Sequence, residues 1–142
     1  MRTVHWLSGP VLGVVLLSSA GCATGGRITF PQTTAEVREG CLNSHRARSF
    51  TPLHERYVYV RGRSGEHFLL TMDSYCIGLP QATGMTLAST FPRICSGSGA
   101  FLTYTHIGQV QRCAVLTVEV VPDKETAERL VYERTPPRPQ ER

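Results

Sequence analysis

Hydrophobic and polar positions alternate most regularly at residues 57–61, "YVYVR", where Val58 and Val60 share one face and Tyr57, Tyr59 and Arg61 the other. β-Branched and aromatic residues at period two predict a strand. "GRSGE" follows as a turn, with Gly62 and Gly65 free to take positive φ. Residues 67–72, "HFLLTM", form the returning strand, with Phe68, Leu70 and Met72 toward the core and His67 and Thr71 outward. Downstream, "DSYCIGLPQATG" predicts a loop with a single helical turn, and residues 85–90, "MTLAST", a short strand. "PRIC" leads into the loop "SGSG", and residues 100–106, "AFLTYTH", predict another strand. A hairpin turn near Gly108 joins it to a last strand over 112–121, whose Ala114, Leu116, Val118 and Val120 line one face. Pro122 ends that pattern. "DKETAERLVYER" then predicts a short helix capped by Asp123, with Ala127, Leu130 and Val131 on one side. The segment 36–49 reads as irregular or briefly extended.

The N-terminus obeys a different pattern. "MRTVH" carries one arginine and no acid, and "WLSGPVLGVVLL" then runs 12 residues without a charge. A basic start, an apolar core and a small-residue exit make a secretory leader. The run is short of the roughly 20 residues that span a bilayer. Its exit, Ser19-Ala20-Gly21-Cys22, resembles the bacterial lipoprotein signal, with serine where leucine is commonest. That resemblance implies cleavage after Gly21, a diacylglycerol on Cys22 with palmitate-type chains, and acylation of the new amine. Two or three acyl chains, at about 0.8 kcal/mol per buried methylene, hold a protein firmly to a membrane. Ala23 rather than aspartate follows the cysteine, which favours the outer membrane.

Export changes the reading of the cysteines. Cys41, Cys76, Cys95 and Cys113 remain after Cys22, and an even number in an exported chain predicts two disulfides. No C-x-x-C occurs to suggest zinc or a redox pair. Three pairings are possible. Cys76–Cys95 with Cys41–Cys113 is the favoured expectation, a local loop plus a tie from the start of the domain to its last strand.

Charge adds little to this. Fifteen Lys+Arg against eleven Asp+Glu give a formal net charge of +4. Arginine outnumbers lysine 14 to 1, a bias that a GC-rich genome produces without functional cause. Arg46, Arg48, Arg56, Arg61 and Arg63 gather around one acid, Glu55, with Tyr57 and Tyr59 among them. In a cytosolic protein this mixture would raise nucleic-acid binding, which export argues against. It leaves phospholipid head groups, lipopolysaccharide phosphates and cell-wall polymers, or another envelope protein, as partners. Guanidinium groups suit phosphate and carboxylate. The plainer account is a solvated edge that resists strand-to-strand aggregation.

The contexts of the four cysteines, "CLNSHRARSF", "YVYVRGRSGEHFLLTM" running into "YCIGL", "ICSGS" and "RCAVLTVEVV", resemble a family of small bacterial envelope lipoproteins, domain of unknown function 6491. Cys76 and Leu79 match its Cys-x-x-Leu element. Cys95, Ser96 and Gly97 match its third, although Ser98 stands where an acid is common. The resemblance covers 41 to about 121. It implies a compact, disulfide-bonded periplasmic domain and no particular reaction.

Candidate catalytic chemistry is sparse. Cys41 and His45 lie four apart, but a thiol held in a disulfide is no nucleophile. His67 and His106 fall in predicted strands and are candidate neighbours, the basis of an alternative reading as a small envelope enzyme or metal-binding factor. Asp73 and Glu119 are the acids nearest core elements, and nothing in their spacing makes them a glycosidase pair. "CSGSGA" does not satisfy G-x-S-x-G.

The sequence therefore predicts a leader over 1–21, a lipidated tether over 22–35, a small β domain over 36–121, and a short helix with a disordered tail over 122–142. The fold class is all-β: a small disulfide-stapled barrel or curved meander sheet, OB-like or SH3-like, with a short C-terminal helix. The expected role is a non-enzymatic binding or structural module without a cofactor, anchored by lipid in the envelope and facing the periplasm.

Overall fold

A computed structural model describes residues 37–135. The expected leader, Cys22, the tether and the tail beyond the helix lie outside the described residues. The elements in chain order are β1 (Arg38–Glu39), β2 (Cys41–Asn43), a 3-10 turn at Ser44–Arg46, β3 (Ala47–His54), β4 (Tyr57–Gly62) and β5 (His67–Met72). A second 3-10 turn at Leu79–Gln81 follows, then β6 (Thr83–Ala88), β7 (Arg93–Cys95), β8 (Phe101–His106), β9 (Gln109–Val121) and α1 (Lys124–Arg134).

The fold is all-β, a nearly closed, barrel-like antiparallel sheet with one short helix and two disulfides. Its strand order is β3-β4-β5-β9-β8-β6, with β1 also on β9. β9 organises the sheet. β5 runs along one of its edges, while β8 pairs with its first half and β1 with Glu119 and Val120 near its end. β2 and β7 make a separate two-stranded strip.

The alternation in β4 serves two apolar faces rather than one. Val58 and Val60 enter the main core with Phe68, Leu70, Met72, Leu102 and Val118. Tyr57 and Tyr59 belong to a second cluster with Leu69, Val121, Ala127 and Val131, where α1 covers the outside of the sheet. Thr71, expected to face outward, is buried beside Tyr57, its partner on β4. The strip contributes Leu42 and Ile94, directly opposed and both fully buried in the main core.

The segment 36–49, expected to be irregular or briefly extended, holds β1, β2, the first 3-10 turn and the start of β3, which runs on to His54. Three further expectations need correction. "PRIC" contains β7 instead of a simple lead into a loop. Along β9, Ala114 and Leu116 do not face the core; Cys113 and Val115 do. Thr71 pairs with Thr117 and Met72 with Val115, so Leu116 is one extra residue on β9. This bulge reverses which face each residue takes. Finally, the disulfides are Cys41–Cys95 and Cys76–Cys113. Cys41 and Cys95 lie opposite each other on β2 and β7. Cys76, in the loop after β5, reaches Cys113 on the adjacent β9, so the sequence-local pairing does not form.

Candidate functional site: an arginine-rich end with a cavity

The β4–β5 turn and the start of β3 are held side by side. Ala47 pairs with Gly62 and Ser49 with Arg61, leaving Arg48 as an extra residue on β3. The Arg63 amide donates to the Arg46 carbonyl at 2.8 Å, and the Gly62 amide to the Glu66 carbonyl at 2.8 Å. This register places Arg46, Arg48, Arg61 and Arg63 together at one end of the sheet, all exposed. Among the described residues none of the four forms an ion pair; the salt bridges are Lys124–Glu128, Arg129–Glu133 and Arg134–Glu119. β1 arrives at the same end, because Arg38 pairs with Val120 and His67 with Val121.

The fifth arginine of the sequence cluster is elsewhere. Arg56 lies in the β3–β4 turn, at the other end of β4. Its Nε and Nη2 donate to the Met72 carbonyl at 3.4 and 3.3 Å, and its guanidinium lies 5.5 Å from the Tyr75 ring centre. It works as a local brace.

A cavity of about 290 Å³ opens at the arginine-rich end, with Asn43, Arg46, Gly62, Glu66, Phe68 and Arg93 on its walls. Arg93, Asn43 and Glu66 were not among the sequence candidates. Antiparallel pairing sets Asn43 opposite Arg93 two residues from the Cys41–Cys95 pair. The right disulfide pairing, had it been legible, would have located Arg93. Asn43 Oδ1 accepts from the His45 amide at 3.0 Å, which leaves its amide group as a donor.

The histidines do not converge. His67 pairs with Val121 and His106 with Gln109, at opposite ends of the 13-residue β9. This corrects their expected proximity and removes the basis for a shared metal or catalytic centre. Among the described residues no group of three His, Cys, Asp or Glu is placed to hold a metal ion. His67 Nδ1 lies within hydrogen-bonding distance of the Tyr59 hydroxyl beneath the start of α1. Burial pushes the Tyr59 phenol above its ordinary pKa, a rise opposed by Arg61 and Lys124. His106 packs against Gly78, where no Cβ would fit. His54 Nδ1 accepts from the Arg56 amide, and His45 is exposed in the first 3-10 turn.

The remaining candidates have structural partners. Cys41 is oxidised with Cys95 and offers no thiol to His45. Glu119 binds Arg134 through two contacts of 2.6 and 2.9 Å, clamping the end of α1 to β9. This hydrogen-bonded carboxylate pushes the Arg134 guanidinium pKa upward. The Asp73 amide donates to the Ala114 carbonyl at 3.0 Å. Ser96 Oγ accepts from the Val118 amide at 3.1 Å, a loop-to-strand tie.

No curated protein and no solved structure matches this chain. A family model does match, over residues 5–136, and its span takes in every strand of the sheet and α1. With nearly the whole sequence covered, the chain belongs to the Family of unknown function (DUF6491).

Proposed function

We propose that this chain is a lipid-anchored protein of the bacterial cell envelope, fixed through Cys22, favouring the outer membrane and facing the periplasm. Its domain binds an anionic envelope component without catalysing a reaction. The observation that carries the binding role is the gathering of Arg46, Arg48, Arg61 and Arg63 at one end of the sheet, none of them in an ion pair among the described residues. Unpaired guanidinium groups in a cluster attract phosphate and carboxylate more than a single exposed arginine does. The chain joins the sheet through β1 at that same end, which suits a tether leading from a membrane. Two disulfides in a domain this small support an oxidising compartment.

The address is tested by intact-mass measurement of the native product with and without reductant. Loss of residues 1–21, an added lipid mass and a gain of about four hydrogens on reduction are expected. A product that keeps its first residues and has free thiols overturns it. For the binding role, retention of the full chain is compared on phosphatidylglycerol-containing and phosphatidylcholine vesicles. An anchor contributes equally to both, so the ratio reports the surface charge. A preference for the anionic vesicles that weakens with salt and falls about tenfold when the four arginines become glutamine is expected. An unchanged ratio in that variant rejects the arginine-rich end as the binding surface.

A further inference from the structure

The cavity at the arginine-rich end has walls of both charges. Arg46 and Arg93 come from separate elements, the first 3-10 turn and β7, and Glu66 comes from the β4–β5 turn. All three are exposed, and among the described residues none is within ion-pair distance of another. Gly62 makes this arrangement possible, because a Cβ there would stand 2.6 Å from Glu66 Oε2. The carboxylate occupies the space that any other residue at position 62 would fill.

We propose that this cavity binds a phosphoethanolamine group, a phosphate joined by a short arm to a primary ammonium. This inference rests on the reading of the arginine-rich end as the anion-facing surface and names its ligand. Arg46, Arg93 and the Asn43 amide supply donors from three elements, the first 3-10 turn, β7 and β2. That suits the several oxygens of a phosphate better than the two of a carboxylate. Glu66 accepts from the ammonium. The volume of about 290 Å³ lies at the lower edge of the range for small-molecule sites, which fits a short two-carbon arm. Such a group is available as a phospholipid head group or as a soluble phosphomonoester.

The test uses the full chain in uncharged detergent, following backbone amide shifts at Asn43, Gly62 and Arg93. O-phosphoethanolamine, inorganic phosphate and glycine are titrated separately. Saturable binding of O-phosphoethanolamine, about tenfold tighter than phosphate, is expected. Arg46→Gln and Arg93→Gln each weaken both phosphate-bearing probes by about tenfold. Glu66→Gln and Gly62→Ala remove the preference for the ammonium-bearing probe and leave phosphate affinity as it was. Competition by phosphatidylethanolamine vesicles but not by phosphatidylcholine vesicles marks the head group as the source; no competition by either marks the soluble form. Equal affinity for the two phosphate probes, tighter binding of glycine, or no saturable shift overturns the proposal. A chain that prefers anionic vesicles yet ignores O-phosphoethanolamine fails here alone, whereas one that does neither also fails as an anion-binding surface.

Discussion

Ile107 occupies a backbone conformation that its side chain disfavours. His106 pairs with Gln109, so Ile107 and Gly108 form a two-residue hairpin loop with φ of 47° and 73°. Two successive positive φ values suit the strand twist of a hairpin and are ordinarily met by Asn-Gly or Gly-Gly. A β-branched residue there sets its Cβ against the following carbonyl, at a cost of about 1–2 kcal/mol. Burial does not offset that cost, because Ile107 is 87% exposed. Ile107→Asn is therefore expected to raise the denaturant midpoint, corresponding to about 1 kcal/mol, with an unchanged denaturant slope. A midpoint that falls would show that the isoleucine makes a stabilising contact in solution.

The helix α1 depends on Asp123. Its Oδ1 accepts from the Thr126 amide at 2.7 Å, and the helix then covers Tyr57, Tyr59, Leu69 and Val121 with Ala127 and Val131. The Thr126 backbone amide, more than any neighbouring charge, holds the Asp123 carboxyl below the ordinary carboxylate range. A depressed folded pKa adds stability that is present above the unfolded value and lost as pH falls through the folded one. Acid should therefore loosen α1 below about pH 4. Asp123→Asn should keep the cap and remove its contribution to the acid dependence, while Asp123→Ala should lower the melting temperature at every pH. Melting curves of the three proteins from pH 3 to about pH 7 make the comparison, and identical acid profiles for wild type and Asp123→Asn would refute it. This helix was legible because capping and period act within a dozen residues. So was the β4–β5 hairpin, with its strict alternation and glycine turn. β3 was not legible, because Pro52 and the arginines weaken its pattern; a proline is tolerated there since β3 lies at the edge of the sheet. The facing of β9 was lost at Leu116, since a bulge is set by the partner strand and leaves no mark on the strand's own period.

At the scale of the whole molecule the two bridges close loops of similar entropy but stand in different surroundings. Their sequence separations are 54 for Cys41–Cys95 and 37 for Cys76–Cys113. Loop entropy grows only with the logarithm of length, so each restricts the unfolded chain by about 4 kcal/mol. Packing must separate them. Cys76 and Cys113 are 1% and 8% exposed within the main core, whereas Cys41 and Cys95 are half-buried, with Leu42 and Ile94 beside them supplying the buried contacts of the strip. Replacing Cys76 and Cys113 by alanine removes a bridge and leaves two sulfur-sized voids in the core. The same change at Cys41 and Cys95 removes a bridge whose neighbours keep their apolar contacts. The first variant should therefore unfold at lower denaturant than the second, although its bridge closes the shorter loop. Equal midpoints, or a reversed order that follows loop length, would mean that chain entropy alone decides. The second variant carries its own signature, because Asn43 and Arg93 are registered by the Cys41–Cys95 pair. Freed of that bridge, the strip should lose its hold on the cavity wall while the barrel remains folded, so amide shifts at Asn43 and Arg93 should move with those of the barrel core unchanged.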